Sequence, residues 1–116
     1  MEELYAEDAV FDPSAVFTDV APMRGKPDIR RYWHELRETW AGPRLDPVEV
    51  FDVGDGRYVA DLRLWGKGKR SGAEVEQRFA LLYTFRPEDG KAIRIRLLPD
   101  LAAALSEAES SASQAV

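Results

Sequence analysis

From Ala73 to Phe85 the chain alternates with period two. Ala, Val, Gln, Phe, Leu, Tyr and Phe hold the odd positions, with Glu74, Glu76, Arg78, Ala80, Leu82 and Thr84 between them. Successive side chains of a strand point to opposite faces, so the run predicts a long strand with one face on a core. Its other face is expected to be wet or paired with a partner. Asp89-Gly90 reads as the next turn, and beyond it Ile93, Ile95 and Leu97 alternate with Arg94 and Arg96. Upstream, Asp55-Gly56 separates two more extended runs and is a strong hairpin signal. The second half is therefore an antiparallel sheet, and no internal repeat interrupts it.

The first third has a different period. Ala9 to Phe11 read as a short strand stopped at Asp12-Pro13, because proline cannot donate to a ladder. Residues 2–8 have room for a turn or two of helix, with Leu4 and Tyr5 facing inward. Pro22, Gly25 and Pro27 mark a loop, and Pro27 with Asp28 suits a first helical turn. Ile29, Trp33, Leu36 and Trp40 then recur at helical spacing, with Tyr32 widening the stripe, until Gly42-Pro43. His34 falls off that stripe, beside Arg30 and Arg37, and is expected in solvent. A last helix is predicted from Leu101 to Glu107. With 116 residues the chain makes one domain, assigned to residues 1–106, and residues 107–116 are expected to be a disordered tail. Helix and strands segregated in this way describe an α+β fold.

Charge and composition exclude several functions. Sixteen basic residues against twenty-one acidic ones leave a net charge of −5, which opposes non-specific nucleic-acid binding. Lys67, Lys69 and Arg70, set among Gly66, Gly68 and Gly72, suit a solvated hairpin turn better than a phosphate cradle. No apolar run approaches the roughly 20 residues of a membrane span, and the acidic start MEELYAED has the wrong polarity for a signal peptide. Cytoplasm is the default location, with neither membrane nor nucleic acid as partner. The absence of cysteine removes disulfides and thiolate catalysis, and a single histidine gives weak support for a transition-metal site. No metal or cofactor is expected.

Several segments, in order, resemble the SnoaL-like branch of the nuclear transport factor 2-like superfamily over about residues 4–106. They are Y-A-E-D-A-V-F-D-P, the helix opening G-x-x-x-I-R-x-Y-W, S-G-A-E-V-E, and D-G-K-A-I-R-I-R leading to P-D-L-A-A-A-L. The resemblance implies a cone, in which a curved, mostly antiparallel sheet wraps around helices and encloses an apolar pocket. It often implies a dimer through the outer face of the sheet, so a homodimer is expected. The family's long first helix has no counterpart here, because the matched unit begins almost at Met1. The cone should therefore be open on one side.

Within the resemblance, Asp12 matches the general-base aspartate of ketosteroid isomerase relatives. Leu81 falls where those enzymes keep a protonated acid for the oxyanion. Leucine cannot donate a hydrogen bond, and the tyrosine that completes the oxyanion hole belongs to the missing helix, so steroid isomerisation is not expected. Asp12 has three readings: general base, ligand-fixing carboxylate, or a structural residue that initiates the Asp-Pro turn or caps nearby backbone amides. In the first two, Phe11 and Phe17 would raise its pKa by desolvation. Epoxide hydrolases of the superfamily use an Asp-Arg-Asp set on adjacent strands. Asp61 and Arg63 supply two of the three, but strand parity puts them outside the cone, where cross-strand ion pairs are expected. Ser14 and Ser71 lack a base to activate them and read as turn residues.

The odd face of the sheet collects Gln77, Phe79, Leu81, Tyr83, Ile95 and Leu97, and Trp33 falls where the family places a pocket aromatic. Most of these suit a core equally well. Gln77 and Tyr83 differ, because a buried amide or hydroxyl needs a partner and can orient a ligand oxygen. The expected function is binding of a small apolar or polyketide-like molecule. Any catalysis would be cofactor-independent isomerase, cyclase or hydratase chemistry assisted by Asp12. The competing expectation is a catalytically silent interaction or dimerisation domain.

Overall fold

The computed structural model describes residues 4–68 and 71–114; for residues 36, 37, 39–43, 45 and 111–114 only the backbone is described. Six strands and two helices follow in the order β1 (Tyr5–Asp12), β2 (Met23–Arg24), α1 (Lys26–Thr39), β3 (Trp40–Gly54), β4 (Arg57–Gly68), β5 (Glu74–Phe85), β6 (Ala92–Leu98) and α2 (Leu101–Gln114). They form the α+β cone expected from the sequence, with one curved sheet in the order β2-β1-β6-β5-β4-β3. All its ladders are antiparallel except that of β1 with β6.

The alternation in β5 sorts the two faces. Its inner face carries Leu81 and Tyr83, which join Leu62 of β4, Ile95 and Leu97 of β6, and Phe11 of β1 in one core. α1 closes that core with Ile29, Tyr32 and Trp33, and the Phe11 ring lies 5.6 Å from Tyr32 and 5.4 Å from Trp33. The outer face holds a second core of Val59, Ala80, Leu82 and Leu98 under Ala104 and Ala108 of α2. A sheet with apolar residues on both faces needs a cover on both. Here the C-terminal helix supplies the second one.

Several local expectations change. Tyr5 to Asp8 are strand, because pairing with β6 begins at Tyr5↔Ala92. Tyr5 is buried as expected, whereas Leu4 is 53% exposed. Among the described residues no α-helix precedes β1. α1 stops at Thr39, before Gly42-Pro43, since Trp40 already pairs with Gly68 in the β3–β4 ladder. That ladder shifts register between Ala41 and Arg44, as the missing donor of Pro43 requires. The stripe positions Leu36 and Trp40 have no described side chains, and Lys69 and Arg70 lie outside the described residues.

The tail expected from residue 107 is instead helix as far as Gln114, with residues 115–116 outside the described range. Alanine favours helix, and the Asp100 carboxylate accepts the Ala103 N–H at 2.8 Å as an N-cap. Burial of Ala108 then carries the helix past Glu107.

The Asp55-Gly56 turn is left-handed at both residues, with φ of 57° and 71°. A Cβ on Gly56 would also sit 3.2 Å from the Phe85 carbonyl. Gly56→Ala is therefore expected to cost about 1 kcal/mol. Thermal unfolding checks this, and an unchanged Tm would exclude the left-handed turn.

Candidate functional site

The inner face carries a cavity of about 730 Å³ at the β3–β4–β5 end of the sheet. Cross-strand pairing builds its wall: Tyr58 lies opposite Tyr83 and Ala60 opposite Leu81, with Leu62 one step further along β4. Phe85 adds a third ring, edge-on to Tyr58 at 5.6 Å and stacked against Tyr83 at 5.9 Å. Leu4, Val50 and Tyr58 stand at the rim with 53%, 60% and 37% of their surfaces exposed, so the cavity is open to solvent there. The wall is apolar, which suits a ligand with little charge.

The polar feature at the back of that wall is the Tyr83 phenol, with the buried Tyr5 phenol behind it. Tyr83 is half-buried and its hydroxyl shares a hydrogen bond with Tyr5. Burial, followed by the neighbouring Tyr5, raises the Tyr83 pKa well above its ordinary value, so the group stays a neutral donor and acceptor. Arg86 lies at the cavity's edge but is engaged by Asp89 at 2.7 Å. Asp55 lines the opening from its exposed turn.

Asp12 is elsewhere. The alternation that turns Phe11 inward turns Asp12 to the outer face, opposite Arg96 in the β1–β6 register. One carboxylate oxygen accepts Arg96 Nη1 at 2.6 Å, and the other accepts the Ser14 hydroxyl and, at 3.0 Å, the Ser14 amide. Arg96 in turn donates through Nε to Glu107 of α2 at 2.6 Å. Burial pushes the Asp12 pKa up, but the Ser14 hydroxyl, the Ser14 amide and Arg96 together outweigh it and hold the carboxyl below its ordinary value. The expected rise by desolvation is thus replaced by a fall. A carboxylate held ionised by three donors is a poor proton acceptor.

The remaining candidates divide. Leu81 and Tyr83 line the cavity. Trp33, Phe79, Ile95 and Leu97 pack in the inner core beside it. Gln77 is exposed near the far end of β5 and is not a buried handle. Asp61 and Arg63 sit on the outer face in diagonal ion pairs, Asp61 with Arg78 at 2.7 Å and Arg63 with Glu76 at 3.1 Å. His34 is exposed and lies 3.3 Å from Glu38. Ser14 and Ser71 occupy turns. Among the described residues, no cluster of three or more potential metal ligands occurs, and no helix is long and apolar enough to cross a membrane.

Tyr58, Ala60, Leu62 and Phe85 were not among the sequence candidates. The hairpin at Asp55-Gly56 contained the missing signal, since it fixes which of Tyr58, Val59, Ala60, Asp61 and Leu62 share a face.

With the site in place, comparison with known proteins places the chain in a family. The profile of the SnoaL-like domain matches residues 1–95. The chain belongs to the SnoaL-like family. A search of curated proteins gives no match. Solved structures share the fold at low identity. A Catenulispora acidiphila protein with a ketosteroid isomerase-like fold, crystallised with trimethylamine, superposes with a TM-score of 0.71 at 15% identity, covering 93% of this chain and 78% of its own. TerC, co-crystallised with polyporic acid, gives 0.71 at 21% identity over 91% and 81%. The epoxide hydrolase/cyclase-like enzyme SalBIII, of pyran-ring formation in salinomycin, gives 0.67 at 16% over 88% and 77%. At such identities the likeness to this SnoaL-like chain is one of fold.

Proposed function

We propose that this SnoaL-like domain binds a small, largely apolar, ring-containing molecule in the inner-face cavity, with the Tyr5–Tyr83 phenol pair as its polar anchor. The observation that carries this reading is the cavity wall itself, where the Phe85 ring lies within 6 Å of both Tyr58 and Tyr83 beside a volume of about 730 Å³. Such a volume lies in the range of drug-sized ligands, roughly 300–1,000 Å³. Ring stacking and apolar contact would supply affinity, and a phenol hydrogen bond would orient one ligand oxygen. The small-molecule complexes of TerC and the Catenulispora protein are compatible with this use of the fold. Binding is favoured over proton transfer because Asp12 faces away, engaged by Arg96 and Ser14.

Titration of the isotope-labelled protein with 2-naphthol and with naphthalene tests the proposal. Saturable shifts are expected at Tyr58, Leu81, Tyr83 and Phe85 with both probes. Tyr83→Phe should weaken 2-naphthol by about five- to tenfold, the value of one hydrogen bond, and leave naphthalene unchanged. No saturable response from those residues would eliminate the cavity as a binding site and favour the reading as an interaction domain.

A further inference from the structure

The outer face has a second cavity of about 680 Å³, between the sheet and α2, and its chemistry is opposite to that of the first. Arg57, Thr84 and Arg94 stand in one row across β4, β5 and β6, as direct register partners. Strands lie about 4.8 Å apart, so the two arginine backbones are roughly 10 Å apart with the threonine between them. All three line the cavity, and Ser106 and Ser110, one helical turn apart on α2, line it from above. The inner cavity and its proposed ligand play no part in this arrangement.

The charges here do not cancel locally. Arg96, at the cavity's edge, is consumed by Asp12 and Glu107. Arg57 is buried, with 8% of its surface exposed, and its hydrogen-bond partner is a neutral one: its Nη1 donates to the Ala108 carbonyl at 2.8 Å. Among the described residues neither Arg57 nor Arg94 has a carboxylate within ion-pair distance. A buried cation without a counter-charge is costly, and proteins normally pair it or use it. A guanidinium offers a planar fork of N–H donors that matches the oxygens of a carboxylate or phosphate. Two such forks flanking a threonine hydroxyl, roofed by two serine hydroxyls, form a donor-rich slot in a chain whose net charge is −5.

We propose that this slot is a binding site for the oxyanion group, carboxylate or phosphate, of a small molecule held between Arg57 and Arg94 with Thr84, Ser106 and Ser110 as neutral donors. The bound anion would supply the counter-charge that Arg57 lacks. It would also bridge the sheet to α2, because its donors come from both.

The experiment is a titration of the full chain with inorganic phosphate and with citrate, at ionic strength held constant with sodium chloride and read by amide and arginine side-chain resonances. Saturable shifts are expected at Arg57, Thr84, Arg94 and Ser106 with at least one of the two anions. Arg94→Gln, at an exposed position and so without a folding defect, should weaken that anion at least fivefold. Ser106→Asp, which brings a tethered carboxylate to the slot, should abolish binding while preserving the spectrum elsewhere. Tighter citrate assigns a carboxylate-bearing ligand, and tighter phosphate assigns a phosphoryl group. The proposal is overturned if chloride alone reproduces the shifts, if neither anion saturates, or if Arg94→Gln binds as tightly as the parent.

Discussion

Leu81→Asp is expected to remove about 4 kcal/mol or more of folding stability, enough to unfold much of a small domain at 37 °C. Leu81 is 1% exposed and packs in the inner core with Ala60, Leu62 and Ile95. Its replacement loses apolar burial and places a carboxyl among apolar side chains. Truncating a buried leucine costs about 2–5 kcal/mol, and an unpaired polar group adds to that. An ionised form would be costlier still, so the new acid should titrate well above the ordinary carboxylate range. Leu81→Met, which conserves volume and polarity, is expected to cost under about 1.5 kcal/mol. Urea denaturation of both variants checks the contrast. Equal stabilities would place position 81 outside the core and would reopen an acid-based oxyanion site at the point where ketosteroid isomerase relatives keep theirs.

The strand half of this fold was legible because alternation is a direct imprint of the pleat. The run from Ala73 to Phe85 and its echo at Ile93, Ile95 and Leu97 identify the inner face residue by residue, and the structure gathers Leu81, Tyr83, Ile95 and Leu97 there. The even face was harder. Ala80 and Leu82 sit among Arg78, Thr84, Arg94 and Arg96, and only the docking of α2 makes that patch a core. A helix whose buried face is mostly alanine has weak amphipathic contrast, so its length past Glu107 could not be read from periodicity. The facing of Asp12 was hidden for a related reason. The short strand drawn at Ala9–Phe11 left its parity unanchored, and only the pairing with β6 shows that Phe11 and Asp12 face opposite ways. Tyr58, Ala60 and Leu62 were accessible from the Asp55-Gly56 turn, but the charged pair Asp61 and Arg63 drew notice to the wrong face of β4.

The outer face also limits the dimer expected from the family resemblance. α2 already occupies its β4–β5–β6 centre through Leu82, Leu98 and Val59. What stays open is the distal strip, with the Arg63–Glu76 ion pair and Trp65, which has Arg44 and Arg63 within 5.9 Å and 5.5 Å of its ring. We propose that any homodimer through this sheet uses that strip. Its polarity suits a weak, salt-sensitive contact better than an obligate one.

Arg96→Met is expected to cost about 3 kcal/mol at pH 7, because it removes the cation shared by Asp12 and Glu107 and leaves two carboxylates facing one another. Breaking a fully buried ion pair costs about 3–5 kcal/mol, and the lower end applies since Arg96 and Glu107 keep 20% and 29% of their side chains exposed. The dependence on pH separates charge from packing. In the parent, Asp12 is held below its ordinary pKa, so its contribution is fully present above about pH 4 and is lost as pH falls through the lowered native value. In the variant the same carboxyl has lost its cation and gained a like-charged neighbour, which raises its pKa, so acid relieves the strain. The gap between parent and variant should therefore be widest near pH 7 and close towards pH 3, as measured by urea denaturation across that range. A gap that does not change with pH would reduce Arg96 to a packing residue. Asp12→Asn sharpens the distinction: it keeps an acceptor for Ser14 but gives up the charge, and should cost about 1–2 kcal/mol with a flattened acid limb. If Asp12 served as a base for the inner cavity, that variant would instead lose turnover at little cost in stability. With its carboxylate bound by Arg96 and Ser14 on the outer face, the expected signature is the reverse, a weakened fold that binds cavity ligands with parental affinity.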